Sequence, residues 1–253
     1  MRIHVVSDVH GRAGALARAG GADALVCLGD LLCFVDYADH GVGILAELFG
    51  PEQAAHFIAL RTAKRFDEAS AFTAGLWASL DDPQSELEGA VRAQYDRLFA
   101  AMPTPAYLTY GNVDWPPLWQ DYLRSGQHVL DGQTIELDGW RFGFVGGGLR
   151  SRYRTPYELD DDTYAAKVAA VGSVDVLCCH IPPAVPDLLY DVVARRFEKG
   201  SEAFLAAIRA TQPRYALFGH VHQPLAQRTR IGRTECVNVG HFRGTGVPYV
   251  LEW

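Results

Sequence analysis

The chain has 253 residues, of which 49% are hydrophobic and 21% charged, enough to bury a full core and close to the upper size of one domain. Its formal net charge of −7 argues against extended nucleic acid as a partner, because counterion release needs clustered Lys and Arg. No apolar run approaches the roughly 20 residues that cross a bilayer, so a soluble chain with no membrane partner is expected.

The first residues, Met1-Arg2-Ile3-His4-Val5-Val6-Ser7-Asp8, run directly into a strand-like pattern. They carry no basic start, apolar stretch or small-residue cleavage site, which predicts a cytoplasmic location. Apolar β-rich runs predict strands over 3–7, 25–28, 107–110, 174–179 and 215–218, each ending near Gly, Asp or His. Between the second and third, the stretch 31–103 reads as helical throughout. Pro51 and Pro83 stand at first-turn positions, Asp82 is an N-cap, and Leu87, Val91, Tyr95, Leu98 and Met102 form one apolar stripe. Residues 33–103 are therefore expected to form a helical cap inserted in a single domain spanning 1–253.

Further along, two hairpins are legible, one turning at Asp138-Gly139 and one near Gly232-Arg233. Helices are predicted over 160–171 and 201–210, with Ser201 as a cap. The fold class is α/β with mixed sheets layered against helices. The five cysteines, Cys27, Cys33, Cys178, Cys179 and Cys236, are odd in number, lack CxxC spacing and sit mostly in apolar runs. Reduced buried thiols are expected, with neither a disulfide framework nor a thiolate zinc site.

The chemistry gathers where strands end. Asp8 and His10 are two apart, and so are His220 and His222 in Gly219-His220-Val221-His222; a strand's period of two would aim each pair one way. Gly29-Asp30, Gly111-Asn112-Val113-Asp114 and Cys179-His180 follow other strands, at the edge where α/β sheets bind ligands. Any one of these motifs is more often a turn or a satisfied core histidine. Together they bring imidazole, carboxylate and amide oxygen to one edge, a set suited to divalent transition metals.

These ordered motifs resemble those of the calcineurin-like metallophosphoesterases, D-x-H, G-D, G-N-H-[DE], H and G-H-x-H. The resemblance spans nearly all of the chain outside the helical insertion. It implies a four-layer α/β/β/α sandwich of two mixed sheets and a dinuclear centre. Asp8, His10, Asp30 and His222 would hold one ion, and Asp30, Asn112, His180 and His220 the other, with Asp30 bridging. The implied cofactors are two divalent metal ions, Mn first and Fe, Zn or Ni as alternatives. The implied activity is hydrolysis of a phosphate ester by a water or hydroxide activated between the ions. Asp30, Asn112 and His180 would act catalytically through the metals.

The chain departs from the family at Val113, where the pattern has a histidine that assists the phosphoryl centre or the leaving group. The general acid is thereby unassigned, with Asp114, His40 and His241 as candidates beside their turn or packing roles. His4, His56 and His128 read as structural. Asp36, displaced from Gly29-Asp30, is not counted as a ligand.

After Gly146-Gly147-Gly148, the residues Arg150, Arg152 and Arg154 alternate, and guanidinium groups in that spacing suit substrate phosphate. Pairing with Glu158, Asp160, Asp161 and Asp162 is the equally weighted alternative. The cap leaves after Asp30 and returns before Asn112, which favours a small to medium phosphodiester or phosphomonoester. Two other functions fit the same motifs. One is a nuclease of the superfamily, and the other a non-catalytic metal-binding regulatory or scaffold module.

Overall fold

The computed structural model describes residues 1–151 and 154–253. It divides into two compact units, Met1–Leu31 with Leu98–Trp253, and Leu32–Arg97.

The larger unit is α/β and is built on two mixed sheets, as the strand pattern implied. The first sheet runs in the order Tyr249–Glu252, Arg2–Val6, Ala24–Cys27, Ala106–Leu108, Gln127–Val129, parallel except for its first strand. The second runs Arg228–Ile231, Thr234–Asn238, Tyr215–Phe218, Val176–Cys179, Trp140–Val145, Gln133–Leu137. Its inner strands are parallel and its two outer pairs are antiparallel hairpins. Asp138 and Gly139 turn one hairpin with φ of 49° and 78°, matching the right-handed twist of the strands they join.

The period of two along each strand sorts the side chains into layers. In Val176–Cys179, Val176 and Cys178 join Ile3, Val5, Val26, Phe142, Phe144 and Leu217 in a core shared by the two sheets. Leu177 and Cys179 instead join Tyr164 and Val168 of helix Asp161–Val171, with Phe204 and Ile208 of helix Glu202–Thr211. Burial on both faces is why these strands read as continuous apolar runs, and each fully buried large side chain contributes about 1.5–3 kcal/mol. The two helices start at side-chain caps, Asp160 accepting from Thr163 N and Ser201 from Phe204 N. All five cysteines are buried and free, and burial pushes the Cys27 and Cys236 thiols up to about 12.

The smaller unit holds helices Ile44–Phe49, Pro51–Thr62 and Phe66–Ala78 and most of Pro83–Ala101. Leu45, Ala46 and Ala54 are buried against Val35, Phe49, Phe57 and Leu76. Asp82 accepts a hydrogen bond from Ser85 N at 3.1 Å at the start of the last helix. The stretch is not helical throughout, because residues 32–43 form a loop. Asp36 and Asp39 fold back on Ala38 N and Gly41 N, the local competition that draws Asp out of helices. Gln94 pairs with both N and O of Cys33, which removes those groups from any helical ladder. No helix is long and apolar enough to cross a membrane among the described residues.

Candidate metal centre

The centre sits just past the C-terminal ends of strands from both sheets. Asp8 and His10 converge as strand parity expects, but the His220–His222 pair does not, and strand geometry is not what aims either pair. Arg2–Val6 and Tyr215–Phe218 end before their motifs, and Asp8, His10, Asp30 and His220 are left-handed, with φ of 58°, 40°, 55° and 68°. A left-handed non-glycine residue costs roughly 1–2 kcal/mol, so packing elsewhere must hold these turns.

Interlocked backbones supply part of that hold. Asp8 N donates to Gly29 O at 3.0 Å and His10 N to Asp30 O at 2.9 Å. The Asp114 carboxylate, fully buried, accepts from Asp30 N at 2.8 Å, Leu31 N at 2.9 Å and Gly111 N at 2.8 Å. Gly111 is needed where the two loops touch, because a Cβ there would lie 2.0 Å from Asp30 Oδ1.

These turns bring the donors together. Asp30 Oδ2 lies 3.4 Å from His180 Nε2 and 3.9 Å from His10 Nε2, so one carboxylate faces two clusters. On one side, Asp8 Oδ1 is 3.4 Å from His222 Nε2 and 3.9 Å from His10 Nε2, and the two histidine nitrogens are 3.2 Å apart. On the other, the ligand atoms of Asp30, His180 and His220 lie within 4.8 Å of one another, and Asn112 Oδ1 is 3.1 Å from His180 Nε2. His220 and His222 therefore diverge, one into each cluster.

The surroundings orient each donor. His180 Nδ1 donates to Leu28 O at 2.9 Å, which turns Nε2 toward the centre. Asn112 Nδ2 donates to Thr155 Oγ1 at 2.9 Å, whose hydroxyl donates to Glu158, leaving Oδ1 directed at His180. Asp8 Oδ2 accepts from His220 N at 2.9 Å, while the buried Asp8 Oδ1 accepts no hydrogen bond among the described residues.

Electrostatics follow the packing. Burial raises the Asp8 pKa, but His222, His180 and His10 together outweigh it and hold the carboxyl well below the ordinary range. Asp30 is likewise lowered, burial being overcome by His180 and His10 together. Burial opposes charge on His180, yet Asp30 and Asp8 hold its pKa up to about 9. His241 moves the other way. Burial and His222 push it down to about 3, which favours the uncharged ring with a single N–H. Burial and the charge of Asp30 raise Asp114 to about 7 against its three N–H donors.

Other sequence candidates fall in different places. Asp114 braces the loops from behind through its three bonds. His40 is exposed on the 32–43 loop of the smaller unit. His241 stacks on His222 with ring centroids 3.9 Å apart. Arg150 and Arg154 are exposed and line a cleft of about 310 Å³ with Ser151, Thr155 and Glu158; Arg150 also stands 3.9 Å from Asp160. Arg152 lies outside the described residues. His4 bonds Ala19 O, His56 packs edge-to-face against Phe72 and His128 stacks on Tyr107. Thr155 escapes sequence reasoning because a lone threonine in a loop carries no signal.

Comparison with known proteins identifies the family and the fold. The family model described as calcineurin-like phosphoesterase matches residues 1–224. One solved crystal structure superposes with a TM-score of 0.58 at 15% identity, covering 95% of this chain and 91% of that one. The crystal structure of TT1561 of Thermus thermophilus does so at 0.55 and 13%, covering 99% and 98%. A novel archaeal phosphodiesterase gives 0.44 and 13%, covering 100% and 93%, too low to bear on the fold. No curated protein matches. With its two mixed sheets and the match over most of its length, the chain belongs to the calcineurin-like phosphoesterase family of metal-dependent phosphoester hydrolases.

Proposed function

We propose that the chain hydrolyses small to medium phosphodiesters or phosphomonoesters and depends on two divalent cations, Mn first among them. The observation that carries this is Asp30, whose single carboxylate faces His10 on one side and His180 on the other. The donors fit such ions. A buried Asp8 Oδ1 that accepts no hydrogen bond among the described residues is costly unless a cation lies beside it, and the His10 and His222 ring nitrogens converge to 3.2 Å on that same side. Asp8, His10, Asp30 and His222 would hold one cation, and Asp30, Asn112, His180 and His220 the other. Bound there, the pair supplies Lewis acidity to an attacking water and to the phosphoryl oxygens.

The chain's own groups fix that chemistry in place. Asp30 sets the spacing of the two clusters and Asn112 contributes a neutral oxygen. Leu28 O and Thr155 fix the rings and amides that face the substrate. Arg150 and Arg154, which line a cleft with Thr155, would receive substrate oxygens there. Val113 leaves the leaving group without the family's histidine, so activated esters should be preferred.

The test is hydrolysis of bis-p-nitrophenyl phosphate and p-nitrophenyl phosphate, side by side, by protein stripped with chelator and reloaded with Mn²⁺. Cation-dependent turnover, lost together with cation binding in Asp30→Asn, is the expected result. Full cation loading with Mn²⁺, Fe²⁺, Zn²⁺, Co²⁺ and Ni²⁺ but no turnover would replace this reading with a non-catalytic binding module.

A further inference from the structure

Beside the residues already placed lies a third imidazole. One ring nitrogen each of His10, His222 and His241 falls within 4.8 Å of the others. The His241 Nε2 is buried and accepts no hydrogen bond among the described residues. Its ring is nearly parallel to His222, at 4° and 3.9 Å, and its centroid is 5.8 Å from His10. Stacking alone does not account for a histidine here, because a phenyl ring stacks as well without burying an unpaired nitrogen.

The backbone shows that this placement is built. Phe242 N donates to Ser7 O at 3.0 Å and Arg243 N to Asp8 O at 2.9 Å, while the Arg243 guanidinium donates to His10 O at 2.6 Å. The residues after His241 are thus tied to the turn that carries Asp8 and His10. From the other side, Asn238 Nδ2 donates to Val221 O at 2.9 Å and Asn238 Oδ1 accepts from Gly240 N at 2.9 Å. Asn238 thereby locks the loop of His222 to the loop of His241.

We propose that His241 is a further metal ligand, giving the cation held by Asp8, His10 and His222 a third imidazole. The proposal rests on the dinuclear reading above. A neutral nitrogen adds affinity without adding ligand charge, and it favours metals that take imidazole readily, such as Fe, Co, Ni and Zn, over Mg or Ca.

The test is His241→Phe, which keeps the stacked ring and removes the nitrogens. Co²⁺ is titrated into chelator-stripped wild type and variant, with visible absorption reporting the ligand field and chelator competition reporting affinity. The expected result is a shifted Co²⁺ spectrum and about a tenfold or greater loss of affinity at one of two sites, in line with losses seen on disturbing a metal's surroundings. An unchanged spectrum and affinity in the variant overturns the proposal and leaves the dinuclear reading standing. Failure of the wild type to bind Co²⁺ removes both. Should the phenyl variant not fold, as judged by thermal unfolding without metal, His241→Gln is measured instead by the same two readouts, and an unchanged spectrum and affinity there overturns the proposal equally.

Discussion

Replacement of Asp114 by Asn separates two opposed effects of one buried carboxylate. Asp114 Oδ2 accepts from Asp30 N and Gly111 N, and Oδ1 from Leu31 N. An asparagine oxygen can keep the first two bonds only by turning its NH₂ against Leu31 N–H. One buried donor is then orphaned, at about 1–3 kcal/mol, and the other two bonds lose their charged acceptor, at about 1 kcal/mol each. Relief of charge repulsion with Asp30, the same repulsion that helps push Asp114 up to about 7, offsets part of this. A net loss of about 1–3 kcal/mol is expected. Urea unfolding of chelator-treated protein at pH 8 reads it. Tryptophan fluorescence is a suitable signal, because Trp115, Trp119, Trp140 and Trp253 all belong to the larger unit. A variant as stable as wild type would refute the reasoning, showing that repulsion outweighs the three hydrogen bonds.

Gly111→Ala forces a methyl to within 2.0 Å of Asp30 Oδ1; a loss of about 1–3 kcal/mol is expected by thermal unfolding, together with weaker cation binding. Thr155→Val removes the acceptor that holds the Asn112 amide. It should lower cation affinity about tenfold or more with little change in unfolding temperature, measured by calorimetric titration. Cation binding must displace the proton that Asp30 and Asp8 hold on His180 up to about pH 9. Affinity should therefore rise as pH increases toward 9, with proton release visible in buffers of different ionisation enthalpy. Binding that does not vary between pH 6 and 9 contradicts that linkage. In the smaller unit, Gln94→Leu removes two buried hydrogen bonds to Cys33, whose O keeps Ile44 N, and should cost about 1–3 kcal/mol in the same urea assay.

Much of the fold is legible in the sequence because strands buried on both faces, such as Tyr215–Phe218, announce themselves as apolar runs. The edge strands Gln127–Val129 and Tyr249–Glu252 escape notice, since three or four residues with mixed burial carry neither a run nor a clear alternation. The motif residues can be named from their order along the chain, whereas the reason they converge cannot. Parity along a strand suggests one direction for His220 and His222, but the left-handed turn at His220 sends them to different clusters. His241 is visible only as a histidine after a glycine. Its stacking on His222 depends on Asn238 joining two loops, a tertiary link with no local signature. The loop at 32–43 reads as helix in the sequence, yet its aspartates satisfy their own neighbours, a choice that periodicity does not register.

The donors come from opposite layers: Asp8, His10, Asp30 and Asn112 follow strands of the first sheet, while His180, His220 and His222 follow strands of the second. Their spacing is consequently set by the thickness of the apolar filling in between, where Ile3, Phe142, Phe144 and Leu217 lie. The centre works as a gauge of that thickness. A methylene added or removed deep in the filling, far from any polar atom, would be registered at the surface as a change in which ions fit.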